Sequence, residues 1–457
     1  MVFSSIPFLF FFLPIFLILY YLVPFKLKNI ILLIFSLIFY AWGEPVYIVL
    51  MIFSSIVDYF NGRLIEKYPN KKKIFMIFSV IVNLSLLGFF KYSNFLIDNI
   101  NKLLSLNIKS LNLSLPIGIS FFTFQTMSYS IDVYRGKFKA EKNFLNFMTY
   151  VSMFPQLIAG PIVRYEDVSL ELSKRKINFD NFNFGLIRFL EGLFKKVLIA
   201  NSVGFIFTSI TNMQYNEISV LTAWLAIFAF SFQIYFDFSG YSDMAIGIGK
   251  MLGFNYPENF NYPFIAKSIT DFWRRWHMSL SSFFKDYVYI PLGGNRKNQF
   301  RNILIVWMLT GLWHGASWNF IIWGIYFGVL LIGEKYIFNK YLNKIPNVIK
   351  HITTILLIVI SFYIFAFDNM NLLVSFGKIL FGFSGNSFID NTFMFYITNY
   401  LITLIIATLF STPIYKIFKE RVKVNGIIIL IVYSILFILT VSFLVSDTYN
   451  PFLYFRF

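Results

Sequence analysis

Residues 302–338 read NILIVWMLTGLWHGASWNFIIWGIYFGVLLIGEKYIF. One helix needs about 20 apolar residues to cross a bilayer. This run is too long for a single crossing and too apolar for a water-facing loop. It reads as a hairpin of two membrane helices, returning to the basic segment that starts at Glu334. It also carries His314, one of only three histidines in 457 residues, between Trp313 and Gly315. An imidazole in that setting needs a reason.

The rest of the chain has the same character. Hydrophobic residues make up 58% and charged residues only 13%, against about 25% in a soluble domain. Runs of 18 or more mostly apolar residues recur, and each reads as a spanning helix. The fold class is therefore an all-α polytopic membrane protein, expected as a single unit over residues 1–457 with about ten or eleven spans. Segment 3–24 lacks a basic leader and a small-residue cleavage site, and reads as a retained helix. Cysteine is absent, which excludes disulfides, thiolate catalysis and cysteine-ligated metals. Three scattered histidines argue against a histidine-rich metal site, so no metal is expected. The net charge of +17 concerns placement against the bilayer rather than nucleic acid.

Lys and Arg sort between the connections. Segment 61–73, NGRLIEKYPNKKK, holds five basic residues and one acidic, and the positive-inside rule assigns it to the cytoplasm. Counting back two helices puts the N-terminus outside; counting forward puts 92–114 outside and 134–143 inside. Residues 146–163, NFMTYVSMFPQLIAGPIV, carry two prolines and a glycine and have cytoplasmic segments on both sides. They read as re-entrant, which is tolerated only where backbone is buried in protein or lines a cavity. Crossings are expected near 186–209, 219–250, 351–367, 393–413 and 425–445. Residues 251–301 form the longest polar stretch, with seven basic and three acidic residues. The loop 368–392 is expected outside and the basic 416–423 inside. No internal repeat is visible.

Ionisable groups at membrane depth cost about 2.5 to 3.5 kcal/mol, so they are the residues to explain. A neutral histidine is accommodated by one hydrogen bond, so His314 alone reads as structural or functional. Gly315 and Ala316 leave room beside its ring. His277 lies in ITDFWRRWHMSLSSFFKDYVYIPLGG (269–294) with Arg274, Arg275, Lys285 and two tryptophans. That stretch reads either as an interfacial amphipathic helix or as a basic, aromatic mouth for an anionic ligand, since guanidinium pairs bidentately with phosphate. His351 reads as structural. Asp237 and Asp243 stand six residues apart, on largely opposite helix faces, and read as pairing or capping groups rather than an acid dyad. No phosphate-binding glycine loop, GxSxG elbow or HExxH is present.

PIGISFFTFQTMSYSIDVYRG (116–136), FPQLIAGPIVRYEDV (154–168), FQIYFDFSGYSDMAIGIGKMLGF (232–254), DFWRRWHMSLSSFFKDYVYIPLGGNR (271–296) and GLWHGASWNFIIWG (311–324) occur in this order. In this they resemble the membrane-bound O-acyltransferases, and within them the bacterial alginate O-acetyltransferase-like branch. The terminal YNPFLYFRF (449–457) resembles that branch too. The resemblance implies a ring of tilted helices around a central tunnel, with re-entrant and interfacial helices. It implies that His314 is the essential catalytic histidine and His277 its second polar partner. It implies an acyl donor on the cytoplasmic side, acetyl-CoA, rather than a permanently bound cofactor.

The basic residues Arg274, Arg275, Lys285 and Arg296 then become candidates to hold coenzyme A phosphates. The expected activity is acetyl transfer towards hydroxyls of an extracytoplasmic polysaccharide, in the inner membrane of a bacterium. Besides membrane lipids, the resemblance implies a separate exported partner with a catalytic serine, as in related systems, and the short outside loops agree with that expectation. The alternatives are D-alanyl transfer to teichoic acid from a carrier protein, and a polysaccharide or lipid transporter without chemistry.

Overall fold

The computed structural model describes residues 1–457 except 112, 159, 339, 341–343, 423–424, 447–451 and 454–457. Among the described residues every regular element is helical, and nine helices are long and apolar enough to cross a membrane. Fewer spans meet the length criterion than the ten or eleven expected, because several apolar helices are short. The first, α1 (Phe8–Leu22), is one of these. After it come α2 (Phe25–Gly43), α3 (Ile48–Lys67), α4 (Lys72–Leu104), α5 (Ile119–Arg135), α6 (Phe144–Ser152), α7 (Phe179–Thr211) and α8 (Val220–Met251). Two short helices follow, α9 (Ile269–Trp273) and α10 (Met278–Phe284). The hairpin read from 302–338 is α11 (Gln299–His314) and α12 (Trp318–Gly333). The chain continues through α13 (Asn347–Ala366), α14 (Met370–Leu380), α15 (Asn391–Phe410) and α16 (Gly426–Ser446).

Two expected loops are partly helical. Residues 92–104 continue α4, which runs for 33 residues. The apolar residues of that stretch keep a helical spacing, so the helix outlasts its membrane-length portion. The 368–392 loop contains α14. Its N-cap Asn369 accepts hydrogen bonds from the backbone N–H of Asn371 and Leu372, and Phe376, Ile379 and Leu380 face the core. Segment 146–163 is broken, as the prolines imply. Helix α6 stops at Ser152, one turn spans Phe154–Leu157, and the backbone beyond it is irregular.

The chain divides into two compact units. One comprises residues 1–191 and 241–257; the other comprises 192–240 and 258–457. In the first, Phe8, Phe12, Phe16 and Tyr20 recur every four residues on the buried face of α1. Phe12 and Phe16 set their rings 5.4 and 5.1 Å from Phe154, in the broken segment. Helices α3, α4 and α5 share a polar seam. The Asp58 carboxylate, fully buried, accepts hydrogen bonds from Asn83 Nδ2 (2.6 Å), Ser130 Oγ (2.6 Å) and Ser79 Oγ. Ser54 and Thr126 donate onward to Asn83 Oδ1 at 2.7 and 3.0 Å.

In the second unit, α11 and α12 pack backbone to backbone. A Cβ on Gly311 would stand 2.2 Å from the Phe320 carbonyl oxygen, and one on Gly324 2.4 Å from that of Trp307. These two glycines let the hairpin close, as small residues do between membrane helices. Trp273 of α9 docks on the same hairpin, with its ring 4.4 Å from Trp307 and 4.9 Å from Phe327.

Candidate active site

His314 is the last residue of α11 and only 5% exposed. The helix ends there because Gly315 turns to extended backbone, at φ −173°. A Cβ on Gly315 would meet the Phe320 ring at 2.2 Å, so that residue must be glycine for α12 to fold back over the histidine. The walls around the imidazole are aromatic. Trp323 and Phe365 approach edge-on at 4.9 and 5.1 Å, and Trp313 stands 5.0 Å away. The indole Nε1 of Trp323 is buried and has no hydrogen-bond partner among the described residues. A sealed donor of that kind costs about 1–3 kcal/mol until an acceptor reaches it.

His277 is fully buried and sits at φ +44°, ψ +54°, at the N-cap of α10. That conformation is uncommon for a residue with a side chain, and such outliers concentrate at working sites. It breaks the 269–294 stretch into α9 and α10, where one amphipathic helix was the simpler expectation. Asn259 holds the break in place. Its backbone carbonyl accepts the Met278 N–H at 3.0 Å. Its side-chain Oδ1 accepts the Ser279 N–H at 3.1 Å and the Ser279 hydroxyl at 2.9 Å, and lies 3.2 Å from His277 Nδ1. Because Oδ1 is already fixed as an acceptor by a backbone N–H, Nδ1 of His277 carries the proton and Nε2 the lone pair. Burial holds this imidazole well below the usual histidine range, so the ring is neutral. Phe238 presses edge-on at 4.7 Å. Trp313 is the shared wall: its ring lies 5.7 Å from His277 and 5.0 Å from His314.

The basic candidates separate into two kinds. Arg275 is engaged locally, with Nε donating to Asp271 Oδ1 at 2.8 Å and a second nitrogen to the Asn261 carbonyl at 3.2 Å. Arg274, Lys285 and Arg296 are exposed and enter no ion pair among the described residues. His351 donates to or accepts from no catalytic group and lies 3.0 Å from the Ala266 carbonyl. The two aspartates of α8 are both paired, Asp237 with Lys196 and Asp243 with Arg188 at 2.7 Å. Sequence reading did not single out Asn259 or Trp323. Asn259 lies between Pro257 and Pro263, 18 residues before the histidine it supports, and such a pairing across a loop leaves no periodic signal.

Comparison with known proteins gives the family. Residues 138–377, which include both histidines, match the model of the membrane-bound O-acyltransferase family. A probable alginate O-acetylase AlgI of Pseudomonas aeruginosa is 43% identical over 380 residues, covering 81% of this chain and 73% of the relative. A peptidoglycan O-acetyltransferase of Helicobacter pylori is 36% identical over 427 residues, covering 85% and 81%. A teichoic acid D-alanyltransferase of Bacillus subtilis is 32% identical over 272 residues, covering 56% and 68%. Most of the terminal 449–457 motif lies outside the described residues. The long apolar helices, the paired histidines and the family match make one case: this chain belongs to the membrane-bound O-acyltransferase family and is a multi-pass membrane O-acyltransferase.

Proposed function

We propose that this enzyme takes an acetyl group from acetyl-CoA on the cytoplasmic side of a bacterial inner membrane and passes it towards hydroxyls of an extracytoplasmic polysaccharide. The observation that carries the reading is the setting of His314, at a helix end between aromatic walls, with a neutral second histidine across Trp313. As a base, His314 takes the proton of the acceptor hydroxyl while the oxygen attacks the thioester carbonyl. The C–S bond then breaks, and the departing thiolate takes the proton back from the imidazolium. As a nucleophile, the imidazole nitrogen attacks the thioester carbonyl and the C–S bond breaks to release coenzyme A. The acceptor hydroxyl then attacks the acetyl-imidazole, the C–N bond breaks, and the hydroxyl proton leaves with the freed imidazole or the thiolate. Both courses begin from a neutral ring. His277, kept neutral by burial, is the second polar group of the same site.

Acetyl is favoured over D-alanyl by coverage. The alginate and peptidoglycan relatives align with more than four-fifths of this chain, the D-alanyl relative with 56%. In this reading the N-terminus is outside, helices ring a tunnel that joins the two sides, and Arg274, Lys285 and Arg296 meet the coenzyme A phosphates at its cytoplasmic mouth. Arg275 contributes by keeping α9 in place through Asp271. A separate exported protein with a catalytic serine completes transfer to the polymer. The test is alkali-labile acetate on isolated envelope and secreted polysaccharide from cells with wild type, His314→Ala or no protein. Acetate that appears only with wild type supports the reading, and the fraction carrying it names the acceptor. Equal acetate in all three overturns it, and released D-alanine would replace it with the alternative transfer.

A further inference from the structure

A cavity of about 580 Å³ opens where α11 begins, α12 ends and α13 begins. It contains none of the residues assigned to the acyl transfer. Its charged lining is Lys267, Lys335, Lys350 and Glu334. Glu334 is already used: its two carboxylate oxygens accept the N–H groups of Ile269 and Thr270 at 2.7 and 3.2 Å. The three lysines enter no ion pair among the described residues. The polar lining is also largely self-satisfied, since Gln299 donates to the Tyr289 hydroxyl at 2.9 Å and accepts from that of Tyr336 at 3.0 Å. What the cavity leaves unanswered is positive charge.

Below the lysines the wall changes character. Ile303, Val306, Trp307 and Leu331 form an apolar shaft. Ile303, Val306 and Trp307 lie four to eight residues into α11, about 6 to 12 Å along its axis. The flanks outside the mouth are apolar too. Phe300, Tyr336, Ile337 and Ile349 are each half or more exposed, as befits side chains that face lipid rather than a water-filled path. The cavity lies where three membrane-length or apolar helices begin or end, which is where a span meets the headgroups.

We propose that this cavity is a binding site for an anionic phospholipid, with the phosphate on Lys267, Lys335 and Lys350 and an acyl chain along the Ile303–Trp307 shaft. Basic pockets between membrane helices recognise acidic headgroups in this way, at about fivefold in affinity per lysine. Coenzyme A presents phosphate as well, but its pantetheine arm brings amides that need polar partners. The shaft supplies aliphatic carbon and one indole instead. The site does not depend on the identity of the acyl donor.

The probes are dioctanoyl phosphatidylglycerol and dioctanoyl phosphatidylcholine, titrated into the purified full chain in neutral detergent and read by native mass spectrometry. Wild type is expected to hold phosphatidylglycerol at least tenfold more tightly. Each of Lys267→Gln, Lys335→Gln and Lys350→Gln is expected to cut that preference about fivefold. Lys416→Gln, on the exposed helix Ile414–Arg421, is expected to leave it unchanged. Equal binding of the two lipids by wild type, which requires no variant to fold, overturns the proposal. So does a preference that survives all three substitutions. Competitive displacement of phosphatidylglycerol by coenzyme A overturns it as well, and would transfer the cavity to the acyl donor.

Discussion

The Asp58 seam and the His314 chamber both place polar groups inside apolar helices, and they solve that problem in opposite ways. Around Asp58 the accounting is complete. Two hydroxyls and an amide point at one carboxylate, and a second tier of hydroxyls satisfies the amide. No cation is involved: Asp58 forms no ion pair among the described residues. Around His314 ring edges crowd the imidazole, and the adjoining Trp323 N–H has no hydrogen-bond partner among the described residues. A saturated network locks three helices together. The aromatic setting with an orphaned indole donor leaves hydrogen-bonding capacity beside the imidazole. The contrast separates a saturated polar seam from the site proposed for the reaction.

The sharpest break of that contrast is at His314. His314→Ala removes the nitrogen to which the proposed function assigns the reaction and leaves aromatic walls that do not depend on it. Transfer is expected to fall by about 10³-fold or more, with the melting temperature in detergent nearly unchanged. Asp58→Ala should give the reverse. It strands the Ser79, Ser130 and Asn83 donors in a dry seam, a loss of about 3 kcal/mol from several unsatisfied groups. Activity per folded molecule should stay near wild type. Thermal unfolding and a per-molecule transfer assay on the same preparations check both. If Asp58→Ala abolished transfer in fully folded protein, the seam would belong to the reaction.

Asn259→Ala tests the intermediate case. It removes the acceptor shared by Ser279 N–H, Ser279 Oγ and His277 Nδ1. Stability should fall by about 2 kcal/mol, and transfer by about tenfold beyond any loss of folded protein, because His277 loses its fixed tautomer. Asn259→Asp keeps the acceptor and should recover most of the transfer rate. A variant that loses stability alone would reduce Asn259 to a loop clasp.

The fold was legible where chemistry repeats along the chain. The hairpin at 302–338, the crossing at 219–250 and the interruption after Ser152 all follow from apolar run length and prolines. The pairing of both α8 aspartates was legible too, because a charge at that depth requires a partner. Asp58 was not singled out, since its partners are neutral and lie on two other helices. Nor was the break at His277. A left-handed residue inside an aromatic stretch has no signature when it is not glycine, and the asparagine that enforces it stands 18 residues earlier. Helical residues 92–104 were missed for a related reason: polar side chains there suggested a loop, while the helix simply continues past its apolar part.

The smallest expected effect is a pH dependence that belongs to His277 alone. Burial lowers its pKa from the ordinary 6.5 to about 3. The unfolded chain therefore takes up a proton near pH 6.5, while the folded chain resists it until about pH 3. Stability contributed by the neutral ring is fully present above pH 6.5 and is lost as pH falls through the window from 6.5 to 3. The slope is about 1.4 kcal/mol per pH unit, so the loss at pH 5.5 is about 1.4 kcal/mol. His277→Gln keeps a donor for Asn259 but cannot be protonated. The difference in unfolding free energy between wild type and this variant should be flat from pH 8 to 7 and then decline towards pH 5.5. Asn259, Phe238 and Trp313, which touch the ring, carry no titrating group. A difference that stayed flat to pH 5.5 would mean that water reaches His277, and with it that this histidine is not held neutral by the fold.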